Sequence, residues 1–231
     1  MPSIFVTGAG KGIGRAIVER FAAAGWDVAG VTRSAADVDS LNRLGAGGSP
    51  RFWRADAAEA GEIAAVADEF TAGGAGLDLL VNNAGGFRHG SFRDTEAATL
   101  DALWQGNVVS AFTVTQALLP ALIRAGGRIA NIVSIAALRP LPGKAAYSAT
   151  KFGLRGFHEV LVEELRGTGV RACLIEPAAT DTPLWDPLDP DADPDLPDRS
   201  QMLHPEHVAQ PRGGTERDVP FDSHEPVDDA V

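Results

Sequence analysis

The strongest constraint on how this chain folds is an alternation of two sequence periods. Short apolar runs at 4–7, 26–32, 51–55, 77–82, 128–133 and 170–175 are separated by helical patterns at 12–24, 35–44, 59–71, 96–125 and 145–167. Several runs are nearly continuous hydrophobics, as parallel strands covered on both faces require. Strand alternating with helix implies right-handed βαβ units. The expected fold class is therefore α/β, a Rossmann-like doubly wound parallel sheet. The pattern at 96–125 is expected to break near Gly106. Ligands of such sheets lie beyond the C-terminal ends of the strands, so the loops that follow the strands are where chemistry is to be sought.

The first of these loops reads Thr7-Gly8-Ala9-Gly10-Lys11-Gly12-Ile13-Gly14 and runs into a helical pattern. Glycine permits positive φ and close backbone approach, and a helix N-terminus offers free N–H groups to a pyrophosphate. The spacing is T-G-x-x-x-G-x-G. It is neither the strict G-x-G-x-x-G nor the phosphate-binding G-x-x-x-x-G-K-[ST]. A tight turn would also use such glycines, but between strand and helix they point to a dinucleotide. The second strand ends Val31-Thr32-Arg33-Ser34, without the carboxylate that would bind a ribose 2′-hydroxyl. Arg33 and Lys11 either pair with a 2′-phosphate or are solvated surface cations; the missing acid favours NADP over NAD.

Charge divides the chain. Residues 1–180 carry 17 acidic and 17 basic side chains, whereas residues 181–231 carry 14 acidic and 3 basic ones and 9 of the 15 prolines, so the whole net charge of −11 belongs to the last stretch. The acidic balance makes neither nucleic acid nor an anionic membrane an expected partner, because both favour net positive charge. The single Cys173 excludes an intrachain disulfide and a cysteine-cluster metal site and suits a reducing cytoplasm. No apolar run is expected to reach the ~18–20 residues of a membrane span, and no charged n-region of a signal peptide precedes the first strand. The organisation expected is a catalytic domain at 1–182, a substrate loop and the start of a helix at 183–209, and an acidic tail at 210–231, too polar and proline-rich to order itself.

Tyr147 is the only tyrosine, and Lys151 follows it by four residues, on the same face of a helix. An ammonium beside a phenol favours the phenolate and is expected to lower its pKa toward neutrality, making a usable proton donor and acceptor. Such a pair alone is usually helix surface. Ser134, which ends the fifth apolar run thirteen residues earlier, aims at the same crevice as the glycine loop and gives the pair a context.

With T-G-x-x-x-G-x-G at 7–14, Asn82-Asn83-Ala84-Gly85, Asn107, Ser134 and Tyr147-x-x-x-Lys151, in this order on these elements, the chain resembles the short-chain dehydrogenases/reductases of the shorter, single-domain type over about residues 1–209. The resemblance implies that Tyr147 is the acid/base and that Lys151 lowers its pKa and binds the nicotinamide ribose. Ser134 would orient the substrate oxygen, and Asn107 would hold a water in a proton relay. Gly8, Gly12, Ile13 and Gly14 would line the pyrophosphate. Asp56 and Ala57 would contact adenine; Asn83, Ala84 and Gly85 would run beside the adenosine ribose. Thr180 and Thr182 would meet the carboxamide, although Ala178 stands where the family usually has glycine. Homodimers or homotetramers through the helices around 108–122 and 152–165 are implied as well.

The reading that results is an oxidoreductase passing hydride between NADP(H) and a small or medium apolar carbonyl or alcohol, a small-molecule substrate. Phe87, Leu138, Leu141, Leu184 and Trp185 are expected near the crevice as an apolar pocket. A 3-oxoacyl-carrier reductase is the alternative within the family, although an acidic carrier prefers a basic approach surface. A weakly active NADP-binding remnant or sensor is the alternative outside enzymology. A nucleotide-sugar epimerase usually needs a longer chain. His204 and His207 have ligand-like spacing but no third ligand nearby, so no metal is expected. His89 and His158 are expected to be ordinary surface or helix residues. The resemblance stops near 209, and a shifted reading frame there is one explanation that resequencing checks.

Overall fold

The computed structural model of the chain describes residues 1–44 and 50–210. Its strands are β1 (Ser3–Thr7), β2 (Asp27–Thr32), β3 (Arg51–Arg54), β4 (Leu79–Asn82), β5 (Arg128–Ile132) and β6 (Arg171–Ile175), each within two residues of its expected bounds. They form one parallel sheet in the order β3-β2-β1-β4-β5-β6. The order reverses between β1 and β4, which opens a crevice at the C-terminal ends of those two strands.

Alternation along the strands explains how the sheet is covered. Ile4 and Val6 of β1 and Leu79 and Val81 of β4 face one side. That side packs on α1 (Gly12–Ala23) and α2 (Ala35–Leu41) through Ile17, Phe21 and Leu41. Phe5 and Leu80 face the other side. There they meet α3 (Ala60–Phe70), α5 (Ser110–Ala125) and α6 (Ala145–Glu164) through Phe70, Leu118 and Leu161. Phe5 stacks on Trp53 (centroids 6.3 Å apart) and meets Phe70 edge-on at 5.4 Å. Burying a side chain of this size stabilises the fold by about 1.5–3 kcal/mol.

The stretch expected to break near Gly106 does not break. Helix α4 (Ala97–Trp104) continues into α5 through one π-type turn at Gln105–Val109. Ser110 N donates to Gln105 O, five residues back, and Ser110 Oγ picks up the Gly106 carbonyl at 2.6 Å. The extra residue therefore leaves no orphaned acceptor at Gly106. Contrary to expectation, this continuous helix, Ala97–Ala125, is long and apolar enough by composition to cross a membrane. Its inward face, with Val114, Leu118, Ala121 and Leu122, is packed into the sheet.

Beyond β6, residues 183–203 form a loop whose Trp185, Leu196 and Met202 close on Phe87. Helix α7 (Pro205–Val208) then packs on α1, with Ala209 buried. The expectation of an unordered tail at 210–231 lies, apart from Gln210, outside the described residues.

Candidate active site

The loops at the C-terminal ends of β1, β2, β4, β5 and β6 enclose one cavity of about 1020 Å³. The glycine loop forms one wall. Gly8 (φ +64°) and Gly12 (φ +53°) hold conformations that L side chains rarely adopt. A Cβ on Gly12 would sit 2.9 Å from Thr182 Cγ2, and one on Gly14 would collide with the Gly8 carbonyl. The first turn of α1 is thereby drawn against the loop, with Lys11 at its N-cap on the cavity wall. Asn83 ties β4 to this wall. Its Nδ2 donates to the Thr7 carbonyl at 2.9 Å, and its backbone N–H donates to Thr7 Oγ1 at 3.0 Å.

At the end of the cavity beyond β2 and β3, Arg33, Asp56 and Ala57 are among the lining residues. Arg33 is 81% exposed and lies 3.8 Å from the Asp56 carboxylate, a loose solvated contact that leaves its guanidinium available. One residue here escapes the reading of strand ends. Asp37, in the first turn of α2, places its carboxylate directly against Gly10. Ser34 caps that helix, accepting from Asp37 N at 3.2 Å, which orients the first turn toward the cavity. The S-x-x-D spacing was the available signal.

At the other end, Ser134, Tyr147 and Lys151 come together from β5 and α6. Ser134 hydrogen-bonds the Tyr147 phenol, and its Oγ also accepts from Ala136 N at 3.1 Å. Lys151 is buried; its Nζ donates to the Ile132 carbonyl at 3.0 Å and lies 5.7 Å from the Tyr147 ring centroid. Burial lowers the Lys151 ammonium to about 8. The phenol departs from expectation. Burial pushes it up to about 12, and the Ser134 hydrogen bond opposes that rise without cancelling it. Desolvation of the phenolate outweighs the partner here, so Tyr147 is a protonated donor at neutral pH.

Asn107, inside the π-type turn, is fully buried and fully engaged. Its Oδ1 accepts from Gly86 N at 2.8 Å, and its Nδ2 donates to Gly86 O at 3.1 Å and Thr150 Oγ1 at 2.8 Å. The side chain therefore braces the β4 loop against α6, with both amide hydrogens spent on Gly86 and Thr150. Thr180 and Thr182 are buried on the cavity wall. Ala178 needs no glycine: among the described residues Asp189 is the only non-glycine with positive φ.

The apolar pocket holds Phe87, Leu141, Leu184 and Trp185, while Leu138 is 52% exposed and does not line it. Phe87 meets Tyr147 edge-on at 4.9 Å and Trp185 at 4.8 Å. Arg199 pins the loop above, reaching Asp181 with one guanidinium nitrogen and Asp186 with the other at 2.7 Å. His207 Nδ1 accepts from His204 N at 3.4 Å, so the pair caps α7. His158 is a helix residue, on α6. It is buried, and its Nδ1 faces Asn131 Nδ2 at 3.1 Å, at the end of a polar chain through Asn82 and Thr115.

A model of the short chain dehydrogenase family matches residues 2–193. D-threitol dehydrogenase of Mycolicibacterium smegmatis is 34% identical over 211 residues, 88% of this chain and 81% of that protein. Sepiapterin reductase of Chlorobaculum tepidum is 32% identical over 90% of this chain and 87% of its own. Among solved structures, a short-chain dehydrogenase from Streptomyces avermitilis superposes with a TM-score of 0.78 at 30% identity, covering 90% of this chain and 81% of the other.

Proposed function

The chain belongs to the short chain dehydrogenase family, and from that premise we propose that it is an NADP(H)-dependent reductase of small or medium carbonyl compounds with an apolar body. The observation that carries this reading is the convergence of Ser134, Tyr147 and Lys151 on the cavity that the glycine loop also lines. The cavity fits the cofactor. Gly8 and Gly12 line the cavity, Gly14 packs the start of α1 closely against the loop, and the N-terminus of α1 offers free N–H groups to phosphate. Lys11 and Arg33 supply cations for a 2′-phosphate, and Lys151, Thr180 and Thr182 face the nicotinamide end. When bound, the nicotinamide supplies the hydride.

The chain's own part is placement and proton transfer. Ser134 Oγ and the Tyr147 hydroxyl hold the carbonyl oxygen between two donors, which stabilises the charge that develops on it. Tyr147 then gives its proton to the alkoxide. A phenol held near 12 is protonated at pH 7 and still a far stronger acid than an aliphatic alcohol, so it can serve as the proton donor in reduction. Lys151, anchored to the Ile132 carbonyl, stands as a cation beside the resulting phenolate. Phe87 and Trp185 exclude water from one side of the oxygen. Phe112 and Phe152, each about half exposed on α5 and α6, supply apolar outward faces for pairing with a second copy.

The test is a panel of aldehydes and ketones with NADPH and with NADH, run beside Tyr147→Phe. NADPH-linked reduction that Tyr147→Phe abolishes while NADPH binding persists is the expected result. Undiminished turnover in the variant overturns the assignment of the proton donor.

A further inference from the structure

The substrate end of the cavity is apolar in its rings but not neutral. The carboxylates lining the cavity, Asp37 and Asp56, both stand at the adenine end, where Asp37 touches Gly10 and Asp56 lies near Arg33. Around Tyr147 the charged lining groups are all cations: Arg88, Arg139, Lys144 and Lys151. Two of the four are already engaged. Arg88 Nη1 donates to the Phe87 carbonyl at 3.0 Å, and Lys151 Nζ donates to Ile132 O. Among the described residues, the side chains of Arg139 and Lys144 make neither a hydrogen bond nor an ion pair.

Lys144 is the better placed of the two. It is half-buried, whereas Arg139 is exposed. It sits at the N-cap of α6, three residues before Tyr147. Its Nζ lies 5.7 Å from the centroid of Phe87 and 5.9 Å from that of Trp185. Phe87 is the ring that meets Tyr147 edge-on, so a single aromatic side chain separates the proton donor from the ammonium. Two ring faces hold the ammonium in place but leave its N–H donors unused. Burial also depresses the Lys144 ammonium below its usual pKa, a cost that an anion beside it would relieve.

We propose that Lys144 anchors a small oxyanion group, in the simplest case a carboxylate, carried by the carbonyl substrate. The chain then works best on short oxo acids whose apolar middle lies against Phe87 and Trp185. This rests on the reductase reading above and narrows its substrate class.

Two measurements separate this inference from the reading beneath it. The first is calorimetric binding to the protein saturated with NADP, using butyrate and butyramide as non-reacting probes. The carboxylate is expected to bind about tenfold or more tightly than the amide. In Lys144→Met, and in Lys144→Gln as a second neutral variant, that ratio should collapse to within about twofold, while Lys144→Arg keeps it. Equal affinity of the two probes for the unaltered protein, or a ratio that survives both neutral variants, overturns the proposal. The second measurement is steady-state reduction of a 4-oxo acid against its primary amide with NADPH. The preference for the acid should appear mainly in KM, and Lys144→Met should erase it. Carboxylate binding without reduction of any carbonyl compound would overturn the reductase reading and leave the anion site standing. Reduction of both substrates with equal KM would do the reverse.

Discussion

Asn107 reads the backbone of Gly86 at both of its polar atoms, accepting from the N–H at 2.8 Å and donating to the carbonyl at 3.1 Å. A side-chain amide here replaces a neighbouring peptide, and the third bond, to Thr150 Oγ1, fastens the pair to α6. Replacing Asn107 by leucine removes three hydrogen bonds, two of them to the half-buried Gly86 backbone. The expected loss is about 2–4 kcal/mol of unfolding free energy, measured by urea denaturation. The Asn107→Asp variant keeps the acceptor but turns an oxygen toward two acceptors, so it should lose nearly as much. An Asn107→Asp protein as stable as the parent would remove the bracing role.

Tyr147 is the only tyrosine in the chain, so its ionisation can be read directly by ultraviolet difference absorbance. Without added cofactor the midpoint is expected well above 10, and on unfolding it should return to about 10. Because the folded value is the higher one, the neutral phenol contributes stability below pH 10. That contribution is lost as pH rises from 10 through 12. Ser134→Ala removes the hydrogen bond that opposes the rise and should move the folded midpoint higher still. A midpoint near 7 in the parent would contradict the environment described for the phenol.

His158 titrates in the opposite sense. Burial lowers its pKa, with Glu159 opposing and Arg155 adding to the effect. With Asn131 Nδ2 donating to Nδ1, the ring is neutral and carries its proton on Nε2. The unfolded chain takes up a proton near 6.5 that the folded one refuses, so stability should fall as pH drops below that value. His158→Gln should flatten the slope between about pH 6.5 and 5. An unchanged slope in chemical denaturation would assign the acid sensitivity elsewhere.

In the proposed reading, two opposed groups beyond β2 tune the choice between NADP and NAD. Arg33 is free to meet a 2′-phosphate, and Asp37 presents a carboxylate against Gly10. Arg33→Ala should lower the NADPH-to-NADH ratio of kcat/KM by about tenfold or more, as loss of a charge-assisted contact does. Asp37→Asn should raise the ratio by severalfold, because it removes a like charge near the phosphate. Movement of both ratios in the same direction would refute the opposition.

Arg199 joins Asp181 at the foot of the substrate loop to Asp186 within it, and its backbone N–H meets Asp191. Arg199→Ala should raise KM for the carbonyl substrate more than it lowers kcat, and should open residues 183–203 to limited proteolysis. An unchanged digestion pattern would show that the apolar contacts of Trp185 and Met202 hold the loop unaided.

The strands were legible because parallel strands buried on two faces leave apolar runs that local reading detects. The glycine loop was legible because backbone conformation restricts residue type at Gly8 and Gly12. What escaped depends on three dimensions. The helix at 97–125 continues because Ser110 satisfies the Gly106 carbonyl from the side, a repair that periodicity does not register. Asp37 belongs to the cavity through the tilt of a capped helix, although it lies five residues beyond the end of β2. Asn107 acts as a brace that local reading misses, because its partners Gly86 and Thr150 are distant in sequence. The rise in the Tyr147 phenol follows from burial, which spacing on a helix cannot weigh.

An α-helix advances about 100° per residue, so the wide turn at Gln105–Val109 sets α4 out of phase with α5 by roughly that angle. That rotation brings Leu103 beside Gly86 and lays Trp104 across Gly153. Deleting one residue here would cost the backbone little, since a regular helix would close over the gap. Every side chain from Ala97 to Trp104 would nonetheless turn to a new heading. Changes of chain length that a surface loop absorbs as displacement are converted at this position into torsion. A single-codon deletion should therefore yield a helical, folded protein whose cavity wall faces the wrong way.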